Sequence, residues 1–193
     1  MLAQEEIQRI FRETGALLSG HFLLSSGLHS PVYFQCALVL QYPQHAEHLG
    51  AELAARFRDD GVDLVISPAV GGIVVGQEVG RALGVRAIFA ERESGQMSLR
   101  RGFHIERGER ALVVEDVITT GGSTEEVMRL VEKWEGRVTG VGALVDRSVG
   151  ALTWDVPVKS LTKLDVMVYA PEECPLCRDK IPVIKPGSRE RNL

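Results

Sequence analysis

The stretch ALVVEDVITTGGST, residues 111–124, concentrates more potential chemistry than any other part of this 193-residue chain. An apolar run closes on two adjacent acids, Glu115 and Asp116. Val117 and Ile118 follow, and then Thr119, Thr120, Gly121, Gly122, Ser123 and Thr124. Small residues leave backbone N–H groups open, and the two glycines permit positive φ and close approach of a ligand. Hydroxyls add donors, and a helix starting behind the loop lends its partial positive charge. Thr119 through Ser123 therefore make an anion cradle suited to a phosphate monoester. The acid pair is placed to accept hydrogen bonds from sugar hydroxyls. The loop is not a Walker A sequence, because it has no lysine at the required place. Nor is it a dinucleotide fingerprint, because its glycines are adjacent. An ordinary strand–turn–helix needs one capping hydroxyl and one glycine. It does not account for paired acids followed by four hydroxyl residues and Gly-Gly.

The elements that must hold this loop can be read from periodicity. Ile7, Ile10, Phe11 and Thr14 stand at helical spacing, and Gly15 stops that helix. Residues 21–36 alternate loosely around Gly27 and Pro31, which predicts two short strands and a turn standing apart from the main sheet. Pro43 suits a first helical turn, with Leu49, Leu53, Ala54 and Phe57 as its apolar face. Strands are expected at 62–67, 85–90, 110–116 and 138–146, with helices at 71–83 and 123–134 between them. One or two more strands are expected in 158–169. Apolar strands alternating with amphipathic helices imply an α/β fold with a mostly parallel central sheet flanked by helices. In such sheets ligands bind beyond the carboxyl ends of the strands.

The bulk properties are those of a soluble globular protein, with 45% hydrophobic and 25% charged residues. The net charge of −4 argues against nucleic acid as a partner. An anionic ligand must then be gripped by local groups, because the overall field repels it. No apolar run approaches the ~20 residues that span a bilayer, and the acidic N-terminus is unlike a signal peptide. A cytoplasmic location without membrane contact is expected.

VVEDVITTGGS resembles the phosphoribosyl pyrophosphate (PRPP) binding motif of type I phosphoribosyltransferases. The resemblance implies that Glu115 and Asp116 contact the ribose hydroxyls and that the loop through Ser123 holds the 5′-phosphate. PRPP contacts are thus expected from Glu115, Asp116, Val117, Ile118, Thr119, Thr120, Gly121, Gly122 and Ser123. Three further segments resemble the orotate branch of that family, so that the resemblance covers about residues 10–150. SSGLHSPVYFQ (25–35) implies that Tyr33 and Phe34 pack against a pyrimidine. SPAVGGI (67–73) resembles the loop facing pyrophosphate. LVDRS (144–148) implies that Arg147 grips the orotate carboxylate, with Thr119 also touching the base. A planar guanidinium suits a planar carboxylate, whereas on the residues alone Asp146-Arg147 reads as a surface pair at a strand end. The fold implied is one phosphoribosyltransferase domain, with residues 1–40 a hood and base-binding segment, 41–150 the PRPP-binding core, and 151–193 the last strands and tail. The reaction implied is transfer of phosphoribosyl from PRPP to orotate, giving orotidine 5′-monophosphate and pyrophosphate in pyrimidine biosynthesis. Mg²⁺ is implied too, held mainly through the pyrophosphate oxygens. Rival readings are the same fold acting on a purine or another base, and a PRPP-sensing regulator without turnover.

The polar stretch 91–109 is long for a compact domain and rich in arginine. In the family such a loop closes over PRPP and reaches a neighbouring subunit, which implies a homodimer and makes Arg92, Arg100, Arg101 and His104 candidate catalytic residues. Read without the family, the same stretch is a solvated, charged β-hairpin. The chain departs from the orotate pattern at Ser25, at Gly71 and within 91–97, where lysines are expected. Cys174-Pro-Leu-Cys177 supplies half of a zinc site or a redox pair. With the histidines far away in sequence, it reads as two reduced thiols in a turn, and no metal ligand is expected. Cys36 reads as a core residue. If Arg100 and Arg101 replace the missing lysines, alanine at both should lower turnover by about tenfold or more. Steady-state kinetics unchanged from the parent would exclude that role.

Overall fold

A computed structural model describes residues 4–24, 26–148, 150, 152–164 and 167–186. Ser25, one of the departures from the orotate pattern, lies outside the described residues.

Helix α1 (Gln4–Glu13) ends at Gly15, which adopts a φ of 68°. Strands β1 (Leu17–Leu23) and β2 (His29–Phe34) form a two-stranded antiparallel sheet of their own. A four-residue helix α2 (Ala37–Leu40), absent from the sequence expectations, leads to α3 (Pro43–Ala55), with Pro43 in its first turn. The remaining order is β3 (Leu64–Pro68), α4 (Gly72–Leu83), β4 (Arg86–Glu93), β5 (Gln96–Ser98), β6 (Arg110–Ile118), α5 (Gly122–Lys133), β7 (Arg137–Asp146) and β8 (Val158–Lys163). A 3₁₀ turn (Pro171–Glu173) and the short α6 (Pro175–Arg178) follow. Among the described residues of 158–169 there is one strand, and Tyr169 makes an isolated bridge to His29.

The main sheet has the order β5-β4-β3-β6-β7-β8, and every pairing is parallel except β4 with β5. Alternation sends the strand side chains into two cores. Val65, Leu112, Val114, Leu144 and Leu161 pack on one face with α1, α3 and α4. Leu64, Ile66, Ala111, Val113, Val141 and Ala143 pack on the other with α5. The central strands are buried on both faces, which is why they read as continuous apolar runs.

The topology locates a crevice. From β3 the chain crosses through α4 to β4 on one side, and from β6 it crosses through α5 to β7 on the other. β3 and β6 are neighbours whose connections depart in opposite directions, and such a switch point opens at the carboxyl ends of the strands. At the opposite end, the exposed Asp63 and Arg110 pair through two hydrogen bonds of 2.8 Å, holding the starts of β3 and β6 in register. That bond holds the Asp63 carboxyl down to about 2.

Helices α3 and α4 meet at Gly50, where an added Cβ would stand 2.5 Å from Cβ of Glu78. Gly50→Ala should therefore destabilise the protein by about 1–3 kcal/mol through overpacking. Urea denaturation measures this, and a midpoint equal to the parent's would contradict the close helix contact.

Candidate active site at the carboxyl ends of the strands

The loop between β6 and α5 stands at this crevice. Gly121 has a φ of 77° and caps α5, whose first N–H groups lack intrahelical partners. Thr119, Thr120 and Gly122 are exposed and Ser123 is half-buried, whereas Thr124 is buried beneath the first helical turn. The rim therefore offers three hydroxyls, not four. Trp154 backs the loop so closely that a Cβ on Gly121 would lie 2.7 Å from its ring. Glycine is required at 121 twice over, by φ and by space.

The two acids are held by their own backbone. A Glu115 carboxylate oxygen accepts from the Asp116 N–H at 3.2 Å, and Asp116 Oδ1 accepts from the Val117 N–H at 2.9 Å. Asp116 also meets the loop after β3, because a Cβ on Gly71 would stand 2.7 Å from Asp116 Oδ2. The 69–72 segment and the acid pair thus form the two walls of one cleft, the arrangement the switch point requires.

The third wall comes from β7 and the separate hairpin. Asp146 is buried and its Oδ1 accepts from the Ser148 N–H at 2.8 Å, while the Arg147 N–H donates to the Ile118 carbonyl at 2.8 Å. This turn buries Arg147, which is 9% exposed, and its Nε has no hydrogen-bond partner among the described residues. Burial draws the guanidinium below its usual value, and the neighbouring Tyr33 opposes this. The Tyr33 hydroxyl is raised, first by burial and next by Asp116, with Arg147 pulling the other way. Tyr33 therefore sits within electrostatic reach of both Asp116 and Arg147, joining the hairpin to the ends of β6 and β7. The end of β7 therefore carries a buried cation with an unused Nε donor, beside an aromatic hydroxyl and tied by its backbone to the end of β6.

Residues 39–176 match the family model described as the phosphoribosyl transferase domain. An orotate phosphoribosyltransferase of Pelotomaculum thermopropionicum is 61% identical over 98% of this chain and 100% of its own length. One from Thermoanaerobacter sp. is 52% identical over the same shares. The chain belongs to the orotate phosphoribosyltransferase family. Among solved structures, orotate phosphoribosyltransferase from Aeropyrum pernix superposes with a TM-score of 0.71 at 27% identity, over 82% of this chain and 93% of that one. An adenine phosphoribosyltransferase from Thermoanaerobacter pseudethanolicus has a TM-score of 0.65 at 20% identity, over 84% of this chain and 100% of that one, and shows the shared fold alone.

With the family shown, its expected site residues can be placed one by one. Glu115 and Asp116 stand near the carboxyl end of β6, and Thr119 through Ser123 connect it to the first turn of α5, with Thr119, Thr120 and Gly122 exposed. Ile118 differs: its side chain is buried in the core beside α5, so only its backbone is available there. The pairing of Tyr33 with Phe34 as base-binding aromatics is corrected. Adjacent strand residues point to opposite faces, and Phe34 is buried against Phe11, with ring centroids 4.7 Å apart and edge to face. Only Tyr33 faces the site. Cys36 is a buried core residue beside Asp116, and burial, with the nearby acids, pushes its thiol up. At 71, where the orotate pattern has a lysine, a Cβ would stand 2.7 Å from Asp116 Oδ2, so a longer residue there would require that carboxylate to turn aside.

The arginine-rich stretch folds partly as the charged hairpin that the sequence also allowed. β4 and β5 pair around Ser94 and Gly95. Arg92 pairs with Glu126 of α5 at 2.8 Å, Arg101 with Glu91 at 2.7 Å, Arg100 with Glu93 at 3.6 Å and His104 with Glu106 at 3.1 Å. Arg101 also lies 5.6 Å over the Phe89 ring. In this conformation each of the four answers an acid of the loop or of α5. Trp154 behind Gly121 was not anticipated; its being the one tryptophan of the stretch 147–157 was the only available signal. The histidines far from Cys174 and Cys177 in sequence are not far in space, because His21 and His29 stand against both sulfurs.

Gly121→Ala should weaken PRPP binding and cost about 1–2 kcal/mol of stability, through its φ and the Trp154 contact. Calorimetric titration with PRPP and a thermal melt check both. Undiminished PRPP affinity would show that the loop is not the phosphate cradle.

Proposed function

We propose that the protein transfers the 5-phosphoribosyl group of PRPP to a ring nitrogen of orotate, releasing pyrophosphate and forming orotidine 5′-monophosphate. The observation that carries the choice of base is the buried Arg147 with its unpartnered Nε beside Tyr33. A neutral purine would leave that guanidinium uncompensated, and leaving a buried charge without a partner is costly. The names of the curated relatives support the same base.

In this reading Gly122 and Ser123 present backbone N–H groups to the 5′-phosphate, with the Thr119, Thr120 and Ser123 hydroxyls around it. Glu115 and Asp116 accept the ribose 2′- and 3′-hydroxyls. Pyrophosphate lies toward the 69–72 segment. Arg147 grips the orotate carboxylate in two places and Tyr33 packs against the ring, which orients the nucleophilic nitrogen toward the anomeric carbon. Positive charge grows on the sugar as negative charge departs with pyrophosphate. Catalysis then rests on positioning, on neutralising charge and on excluding water, with no protein nucleophile.

Mg²⁺ belongs to this reading as part of the substrate. Glu115 and Asp116 already accept from their own backbone, so the oxygen ligands a hard ion prefers come mainly from PRPP. Arg92, Arg100, Arg101 and His104 act, in this reading, from a loop that leaves its ion pairs and closes over a bound substrate, crossing to the partner of a homodimer. The pairs are exposed, and such pairs cost little to break. No helix among the described residues is long and apolar enough to cross a membrane, in keeping with a cytoplasmic enzyme of pyrimidine synthesis.

Arg147→Ala should raise KM for orotate by about 10- to 100-fold, the worth of a charge-assisted contact, while PRPP affinity stays within about twofold. Pyrophosphate release, assayed with PRPP, Mg²⁺ and orotate, uracil, adenine, hypoxanthine or nicotinate in turn, is expected with orotate alone. Release with another base would overturn the assignment, and PRPP binding without release would favour a regulator.

A further inference from the structure

Outside the cleft, four ligand-type side chains from distant parts of the sequence converge. His21 and His29 come from β1 and β2, and Cys174 and Cys177 from the turn that opens α6. Their ligand atoms all lie within 4.8 Å of one another. Cys177 Sγ is 3.3 Å from His29 Nδ1 and 3.7 Å from His21 Nε2, and Cys174 Sγ is 3.6 Å from His21 Nε2. The two histidine nitrogens are 2.7 Å apart. His21, His29 and Cys174 are buried, and Cys177 stands at the solvent edge.

We propose that these four residues form a structural Zn²⁺ site that fastens the C-terminal segment to the β1–β2 hairpin.

Several independent features support the assignment. Tetrahedral zinc, with Zn–S near 2.3 Å and Zn–N near 2.0–2.1 Å, places sulfur and nitrogen roughly 3.5 Å apart. The three S···N separations scatter around that value. The nitrogen pair would open by about 0.6 Å to reach the corresponding N···N edge. His21 Nδ1 lies 2.7 Å from the Ile181 carbonyl, to which it can only donate, so Nε2 keeps its lone pair and points it at the cluster. Metal-bound histidines are held in this way by their other ring nitrogen. Two thiolates balance the charge of a divalent ion, which makes the filled site neutral and suited to burial. Sulfur with imidazole selects zinc over hard ions such as Mg²⁺. Four protein ligands also close the coordination sphere, which marks a structural site.

The backbone is arranged for the same purpose. Pro175 starts α6 directly after Cys174, and one helical turn brings Cys177 to the same side. Leu23 faces His29 across the hairpin, and the bulge between Ser19 and Phe22 carries His21, whose ring lies 4.7 Å from that of His29. The tail already leans on the hairpin through paired backbone bonds, Tyr169 with His29 and Ile184 with His21 and Leu23, each 2.8–2.9 Å. A metal would lock that contact. The same β2 carries Tyr33, so the clamp also braces the wall of the cleft.

The full chain, purified with reductant and without a metal-binding tag, should hold about one zinc per chain by mass spectrometry. Cys174→Ser with Cys177→Ser should fall below about a tenth of that. Exchange of the parent protein into Co²⁺ should give the intense visible bands of a tetrahedral ion and a thiolate charge-transfer band, a readout that needs no variant to fold. Strong chelator should lower the thermal midpoint of the parent but not of the double variant. Metal-free parent protein that shows no tetrahedral Co²⁺ spectrum would overturn the proposal. So would full zinc content in the double variant, or a Cys174–Cys177 disulfide in place of bound metal under reductant.

Discussion

The whole cleft depends on the divergence of two neighbouring strands. Parallel strands need crossovers, and crossovers of one hand force the connecting helix to a face set by the direction of travel. From β3 the chain moves outward one way with α4 on one face, and from β6 it moves the other way with α5 on the opposite face. No helix can cover the gap between the two strand ends. Gly71 and Asp116 approach across that gap so closely that a side chain at 71 would require the Asp116 carboxylate to turn aside. The loop 119–123, the acids and the facing segment are therefore neighbours by topology before any side-chain chemistry is considered.

Arg147 is where this arrangement costs most. A guanidinium at 9% exposure, whose Nε has no partner among the described residues, is a desolvated charge. Asp146 does not relieve it through its Oδ1, which accepts from the Ser148 N–H and shapes the turn. Tyr33 offers partial relief, and its own hydroxyl is raised by burial and by Asp116. Burial leaves this end of β7 strained in electrostatic terms, and in the proposed function a bound carboxylate would relieve the strain. Structural arginines are more often paired or snorkelled to water. Burial thus separates Asp146-Arg147 from the exposed surface pair that the two residue types suggest on their own.

What could be read from sequence follows the range of the interaction involved. The loop 119–123 and the strands around it were legible because strand, turn and helix start are local, and their residue types have few alternative uses. Phe34 was misplaced because two adjacent aromatics in a strand must part company, and only the packing of Phe11 decides which one turns inward. Trp154 behind Gly121, and Gly71 against Asp116, are contacts between distant segments with no local signature. The arginines of 91–109 were legible as charges but not as ion pairs, since their acidic partners include Glu126 on another element.

The histidines and cysteines make the same point most sharply. Half of a zinc motif is uninformative until a fold supplies the rest, and here the rest comes from a hairpin some 150 positions away in sequence, the His21 to Cys174 contact spanning |i−j| of 153. A two-stranded sheet is marginal alone in water, and β1–β2 is separate from the main sheet. It is held on one side by Phe34 against Phe11 and on the other by the tail at His21, Leu23 and His29. Tyr33 can present a fixed hydroxyl to Arg147 only if both sides hold. In the proposed function, the placement of Tyr33 would thus depend on contacts elsewhere on the hairpin, with α1 and with the C-terminal tail.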